Sequence, residues 1–151
     1  MATVIKSYKE SIAFTPSKFN PVALAQSDRL RVLLVNLEPG QFIPIHHPSV
    51  DMTLLVLEGK GLVAAGDTET EVGPGAVVFV KGGEARGIKA QSRLVALHVV
   101  SPLPNEADQT MVPGVAPSHD PSPAQKPPAA PSDSSSSDQP AGGPTTPRDG
   151  G

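Results

Sequence analysis

Between Leu30 and Val100 the chain sets short apolar runs between turn residues. Leu30-Arg31-Val32-Leu33-Leu34-Val35-Asn36-Leu37 is rich in branched side chains and stops at Pro39-Gly40. β-Branched residues fit a pleated surface, and Pro-Gly sets a turn. The same pattern predicts strands at Phe42–His46, Met52–Leu57, Gly61–Ala65, Thr68–Val72, Ala76–Val80 and Arg93–Val100. Gly66-Asp67 is a two-residue hairpin signal. Short strands with turn signals every ~8–12 residues predict an all-β sandwich or barrel. No helical period of useful length appears; Pro21-Val22-Ala23-Leu24-Ala25 allows at most a turn or two.

Parity along the strands adds a second layer. Thr68–Val72 alternates, so one of its faces is expected in solvent. Leu30–Leu37, Ala76–Val80 and Leu94–Val100 are apolar at both parities. A half-exposed antiparallel strand alternates cleanly, so something is expected to cover the outer face of one sheet. A homodimer would do this, and so would an N-terminal segment carrying Ile12, Phe14 and Phe19.

Composition changes the picture mainly at the C-terminal end. Twelve of the 18 prolines lie from Pro102 onward, with a serine run at Ser134–Ser137. Such a stretch cannot bury enough apolar surface to offset its ordering entropy, which predicts a disordered tail. Its only apolar cluster is Met111, Val112 and Val115. The expected organisation is an N-terminal extension or dimer-contact strand over 1–28, a β-barrel over 29–102 and a Pro/Ser-rich tail over 103–151.

Charge and residue usage exclude several functions. The net charge is −3 and aromatics make up 3% of the chain, so neither a phosphate-tracking basic surface nor a base-stacking platform is expected. The absence of Cys removes disulfides, thiolate metal sites and thiol nucleophiles. No stretch has the length of a signal-peptide core or a membrane span, which predicts a soluble, cytoplasmic protein with no membrane partner. No Ser/His/Asp order, phosphate loop or converging carboxylate pair is present.

Two glycine-bounded segments carry the candidate chemistry. Five residues separate Gly40 from His46, and six separate Met52 from Gly59. The second segment runs from Gly75 to Ala90, with Lys81, Gly83 and Arg86 at its other marked positions. Fifteen residues, Lys60 to Pro74, lie between the segments. This spacing resembles the two motifs of the cupin superfamily. The resemblance implies a small β-barrel of jelly-roll type, in which three His and one Glu ring a transition metal. Here the ring positions hold His46, Pro48, Met52 and Arg86. Residues two apart on a strand share a face, so positions 46 and 48 should both look inward. Proline offers no side-chain ligand, a thioether is a soft donor, and a guanidinium repels a cation.

The chain is therefore expected to be a cupin-fold binding module with no metal cofactor and a cavity for a small polar or anionic ligand. His46, Arg86, Met52 and His98 are its candidate binding residues. His98 lines the cavity if the even positions of its strand face inward; otherwise Val95, Leu97 and Val99 fill it. Arg86 either reaches the barrel mouth, pairs with Asp51 or Glu84, or binds a carboxylate or phosphate. Lys81 and Lys89 add positive potential if they share that mouth. In the alternative reading a bulge at His46-His47 turns both rings inward. His46, His47, Asp51 and His98 would then hold one divalent transition metal in an oxygenase- or isomerase-class enzyme. His46 with Asp51 is the candidate pair for metal-free base catalysis. Whether the protein is an enzyme stays open at this level.

Overall fold

Order along the chain and order across the sheets diverge, and that divergence builds the sandwich. The computed structural model describes residues 2–104 and 116–117. A short 3-10 turn, Tyr8–Ser11, precedes nine strands: β1 (Asn20–Gln26), β2 (Arg31–Leu37), β3 (Phe42–His46), β4 (Asp51–Glu58), β5 (Gly61–Ala65), β6 (Thr68–Val72), β7 (Val77–Val80), β8 (Arg86–Ala90) and β9 (Leu94–Ser101). They form a five-stranded sheet, β1-β2-β9-β4-β7, and a four-stranded sheet, β3-β8-β5-β6. All the pairings are antiparallel. The chain crosses from one sheet to the other at every strand connection except β1–β2 and β5–β6, so the two sheets close on each other as a jelly-roll-like all-β fold.

The core lies between the inner faces. Leu37, Val56, Val80, Leu94 and Ala96 are almost wholly buried there. Burying a Val or Leu side chain contributes ~1.5–3 kcal/mol, so this layer holds the sheets together. Gly66-Asp67 forms the expected hairpin, with Ala65 paired to Thr68 across it.

Two elements differ from the sequence expectation. Asn20–Gln26 is a strand, paired to β2 from Asn20↔Asn36 to Gln26↔Arg31. It is an edge strand, where Pro21 loses no ladder bond that the sheet needs. The larger sheet therefore includes Asn20–Gln26, inside the stretch read from sequence as an extension or dimer-contact strand. Arg86–Ala90 is also a strand, central in the smaller sheet and buried except at Lys89. The tail reading needs adjustment at its start, because Pro104 lines the interior and Pro117 is fully buried. The Met111, Val112 and Val115 cluster and the Pro/Ser-rich run from 118 lie outside the described residues.

The apolar outer parity divides between covered and open ends of the larger sheet. Leu34, Asn36 and Val95 are buried on that outer face, whereas Val77 and Phe79 on the β7 edge are 68% and 62% exposed. The N-terminal segment is tied to the barrel at several points. Tyr8 Oη donates to Glu58 at 2.8 Å, Gln41 Nε2 donates to the Thr15 carbonyl at 2.8 Å, and the Arg93 guanidinium lies 4.6 Å over the Phe14 ring. Phe19, expected in the outer cover with Ile12 and Phe14, instead packs against the core.

Arg93 also forms a two-bond fork on Glu38, at 2.7 and 3.1 Å. Those bonds hold the Glu38 carboxyl below its usual range. A carboxylate lowered in the folded state adds stability that is present at neutral pH and lost as pH falls through its folded pKa. Glu38→Gln is expected to make the acid end of a pH–stability curve slightly shallower, measured by urea melts from pH 7 to 3. Superimposable wild-type and variant curves would show that the fork contributes nothing. The pair is exposed, so the effect is small.

Candidate functional site

The alternation of three strands points one set of side chains at a common space. Odd positions of β2 (Arg31, Leu33, Val35, Leu37), and even positions of β4 (Met52, Leu54) and β9 (Ala96, His98, Val100), face it from the larger sheet. Ile43 and His46 of β3 and Arg86 and Ile88 of β8 face it from the smaller one. Phe19, Pro48 and Pro104 close its margin. The cavity has a volume of about 150 Å³. Its walls are mainly aliphatic. Arg31, His46, Arg86 and His98 are its titratable groups, and no Asp or Glu is among the described residues that line it.

Arg86 is the buried charge, at 4% exposure. It stands opposite His46 in the β3–β8 register. Its Nη2 donates to the Pro48 carbonyl at 3.4 Å and to the Val50 carbonyl. The β3–β4 connection is held for this purpose by the neighbouring β7–β8 turn. Gly83 N donates to the Pro48 carbonyl at 2.7 Å, and Gly82 N donates to Asp51 Oδ1 at 2.8 Å. Among the described residues, the main-chain carbonyls of Pro48 and Val50 hold the guanidinium against the cavity.

His46 has a defined tautomer. Its Nδ1 lies 2.8 Å from the Pro44 carbonyl, an acceptor only, so Nδ1 carries the hydrogen. In the neutral ring, Nε2 is then an acceptor. Pro44 is tolerated because β3 is an edge strand, and a register shift falls between Ile43 and His46.

His98 sits between Leu33 and Leu54 in the sheet register. The residue is half-buried, but its Nδ1 is fully buried and has no hydrogen-bond partner. Burial first, then the Arg86 charge and His46, push its pKa down to about 4. The ring is therefore neutral at ordinary pH.

All four candidate binding residues, His46, Met52, Arg86 and His98, line this one cavity. The two remaining members of the metal alternative do not join them. His47 and Asp51 are exposed, and the Asp51 carboxylate is turned to Gly82 N. The reason is alternation: the shift in β3 precedes His46 and leaves His47 facing out. Lys81 and Lys89 are exposed and are not among the residues that line the cavity. Val56 is buried in the core beside the cavity, not on its wall. Arg31 was not singled out by the sequence motifs, although the odd parity of β2 places it there.

The metal that the fold resemblance implies does not fit these donors. Two imidazoles, one thioether and a guanidinium are an unsuitable cage for a divalent ion. Among the described residues no three His, Cys, Asp or Glu side chains gather as a ligand set. No helix among them is long and apolar enough to cross a membrane.

A family model, the Cupin domain, matches residues 33–100. The TT1209 protein of Thermus thermophilus is 31% identical, with 65% of this chain and 96% of that one covered, at a TM-score of 0.62. The chain belongs to the cupin superfamily. A cupin superfamily protein from Desulfitobacterium hafniense DCB-2, 22% identical, shares the fold at a TM-score of 0.58, covering 62% of this chain and 86% of that one. The polyketide cyclase RemF from Streptomyces resistomycificus is 25% identical at a TM-score of 0.51, covering 57% of this chain and 66% of that one. No curated protein matches this cupin. A fold does not choose a task, so the side chains of the cavity must decide the function.

Proposed function

We propose that this cupin is a binding module for a small organic anion with an apolar body, working without a metal. The observation that carries the reading is the charge inventory of the cavity. Arg31 and Arg86 line it among mainly aliphatic side chains. Aliphatic walls contribute affinity through burial, and a guanidinium recognises a carboxylate through directed N–H donors. An apolar cavity of comparable volume in an unrelated protein takes a molecule of about benzene size, so the part of the ligand seated inside is a few carbons.

Thermal melts of the full chain with 3-methylbutanoate test this. A rise in Tm that grows with the logarithm of ligand concentration is expected, corresponding to about 2.7 kcal/mol at a hundredfold excess over Kd. The rise should disappear in Arg86→Met and shrink in Arg31→Met. Elemental analysis of protein purified without chelator is expected to show well under one transition-metal ion per chain. A flat melt series, or near-stoichiometric metal lost in His46→Ala, would overturn the reading.

A further inference from the structure

The two arginines of the cavity are not equivalent. We infer that Arg31, not Arg86, receives the carboxylate of the ligand, so that a short-chain aliphatic acid enters body-first and is held at the rim by its acid group. This rests on the anion reading above and adds an orientation and a chain-length limit to it.

Arg31 opens β2, at one end of the inward row that continues through Leu33 and Val35 to Leu37. It is half-buried, so its head group meets both cavity and solvent. Leu37, at the other end of the row, is wholly buried. The first strand holds the guanidinium in place. Gln26 stands opposite Arg31 in the β1–β2 register, and Arg31 Nε donates to Gln26 Oε1 at 2.8 Å. Among the described residues, Gln26 is the hydrogen-bond partner of this guanidinium.

A guanidinium carries its N–H donors in a fixed planar fork, and Nε supplies one of them. With Nε committed to Gln26, one N–H from each Nη remains as a parallel pair, the arrangement that grips a carboxylate through two bonds. Fixing the plane of the group beforehand lowers the ordering cost of binding. Arg86 has a different task. It is buried, and its Nη2 donates to the Pro48 and Val50 carbonyls, which holds that stretch of wall. Its loss would undo the wall rather than a single ligand bond.

With the acid at Arg31, the carbon chain runs inward along Leu33 and Val35. Space then limits its length. The cavity holds about 150 Å³, room for about six carbons by comparison with a benzene-sized site. Each methylene seated in it adds about fourfold in affinity. A longer chain overfills a packed interior or draws its carboxylate off the fork. In the reverse orientation, acid inward, extra carbons would trail into solvent without a steric limit. Chain length therefore reports orientation.

Titration calorimetry at pH 7.5 on the full chain, with butanoate, hexanoate, octanoate, decanoate and the neutral hexanamide, tests this. Hexanoate is expected to bind roughly fifteenfold more tightly than butanoate, the worth of two seated methylenes. Octanoate and decanoate should bind more weakly than hexanoate. Wild type should prefer hexanoate to hexanamide by about tenfold or more, and in Arg31→Met the two should bind alike. Affinity that climbs through decanoate, or a hexanoate preference that survives in Arg31→Met, would each overturn the inference while leaving the anion reading standing. If none of the acids binds, or hexanamide binds the wild type as well as hexanoate does, both fall. The wild-type length series decides by itself should the variant not fold.

Discussion

Gly59→Ala is expected to destabilise the fold by roughly 3 kcal/mol or more, enough to remove a large part of a small domain's stability. Gly59 closes β4 with φ of +85°, a conformation that costs an L-residue about 1–2 kcal/mol. Most of the loss is steric. A Cβ at this position would lie 1.8 Å from the Arg93 carbonyl oxygen and 2.8 Å from the Leu94 Cα. Both are backbone atoms at the start of β9, and no rotamer change moves them. The β4–β5 turn would have to part from β9, and β4–β9 is a central pairing of the larger sheet. Gly40 is the control, since it has a similar φ of +86° but nothing within 4 Å of a built Cβ. Gly40→Ala should therefore cost only the conformational part, about 1 kcal/mol. Urea melts of the two variants give the comparison. Equal losses would show that close packing at Gly59 is relieved cheaply, and the account of that motif glycine would fail.

The second large effect is a pH dependence written into His98. Its folded pKa is about 4, against an ordinary 6.5. Between those values the unfolded chain takes up a proton at this ring that the folded chain does not. Stability therefore falls as pH drops from about 6.5 to about 4, and this contribution levels off below that. The full contribution is roughly 3 kcal/mol. Protonating the ring would place a third charge among Arg86, Arg31 and His46, with no carboxylate among the described lining residues to receive it. His98→Phe should flatten the stability curve across that window. It should also raise stability at pH 7 by about 1 kcal/mol, because it removes a buried nitrogen that has no partner. Parallel acid limbs in wild type and variant would refute the linkage.

Much of the fold was legible because strand parity and turn chemistry are local. Phe42–His46, Gly61–Ala65 and Thr68–Val72 are bounded by Gly, Pro or polar turn residues and emerge at the expected limits. β1 and β8 escaped for different reasons. Asn20–Gln26 contains a proline and two alanines, which read as a helical turn, and only pairing with β2 makes it a strand. Arg86–Ala90 carries an arginine, a glycine and a lysine in five residues, a composition that gives no strand signal by itself. It is sheet because β3 and β5 flank it on both sides.

The candidate site divides along the same line. The two-residue period was enough to turn His46 and Pro48 to one face, since it depends on neighbours along the chain, whereas Met52 and Arg86 joined them only through the resemblance that the glycine spacing carries. The parity of His98, the outward aim of His47 and Asp51, and the presence of Arg31 were settled by register between strands far apart in sequence. So were the anchors of Arg86, which are carbonyls that only a closed β3–β4 connection brings into reach. Local stereochemistry fixes which way a side chain points from its own strand, but what it meets there depends on long-range pairing that no single segment encodes.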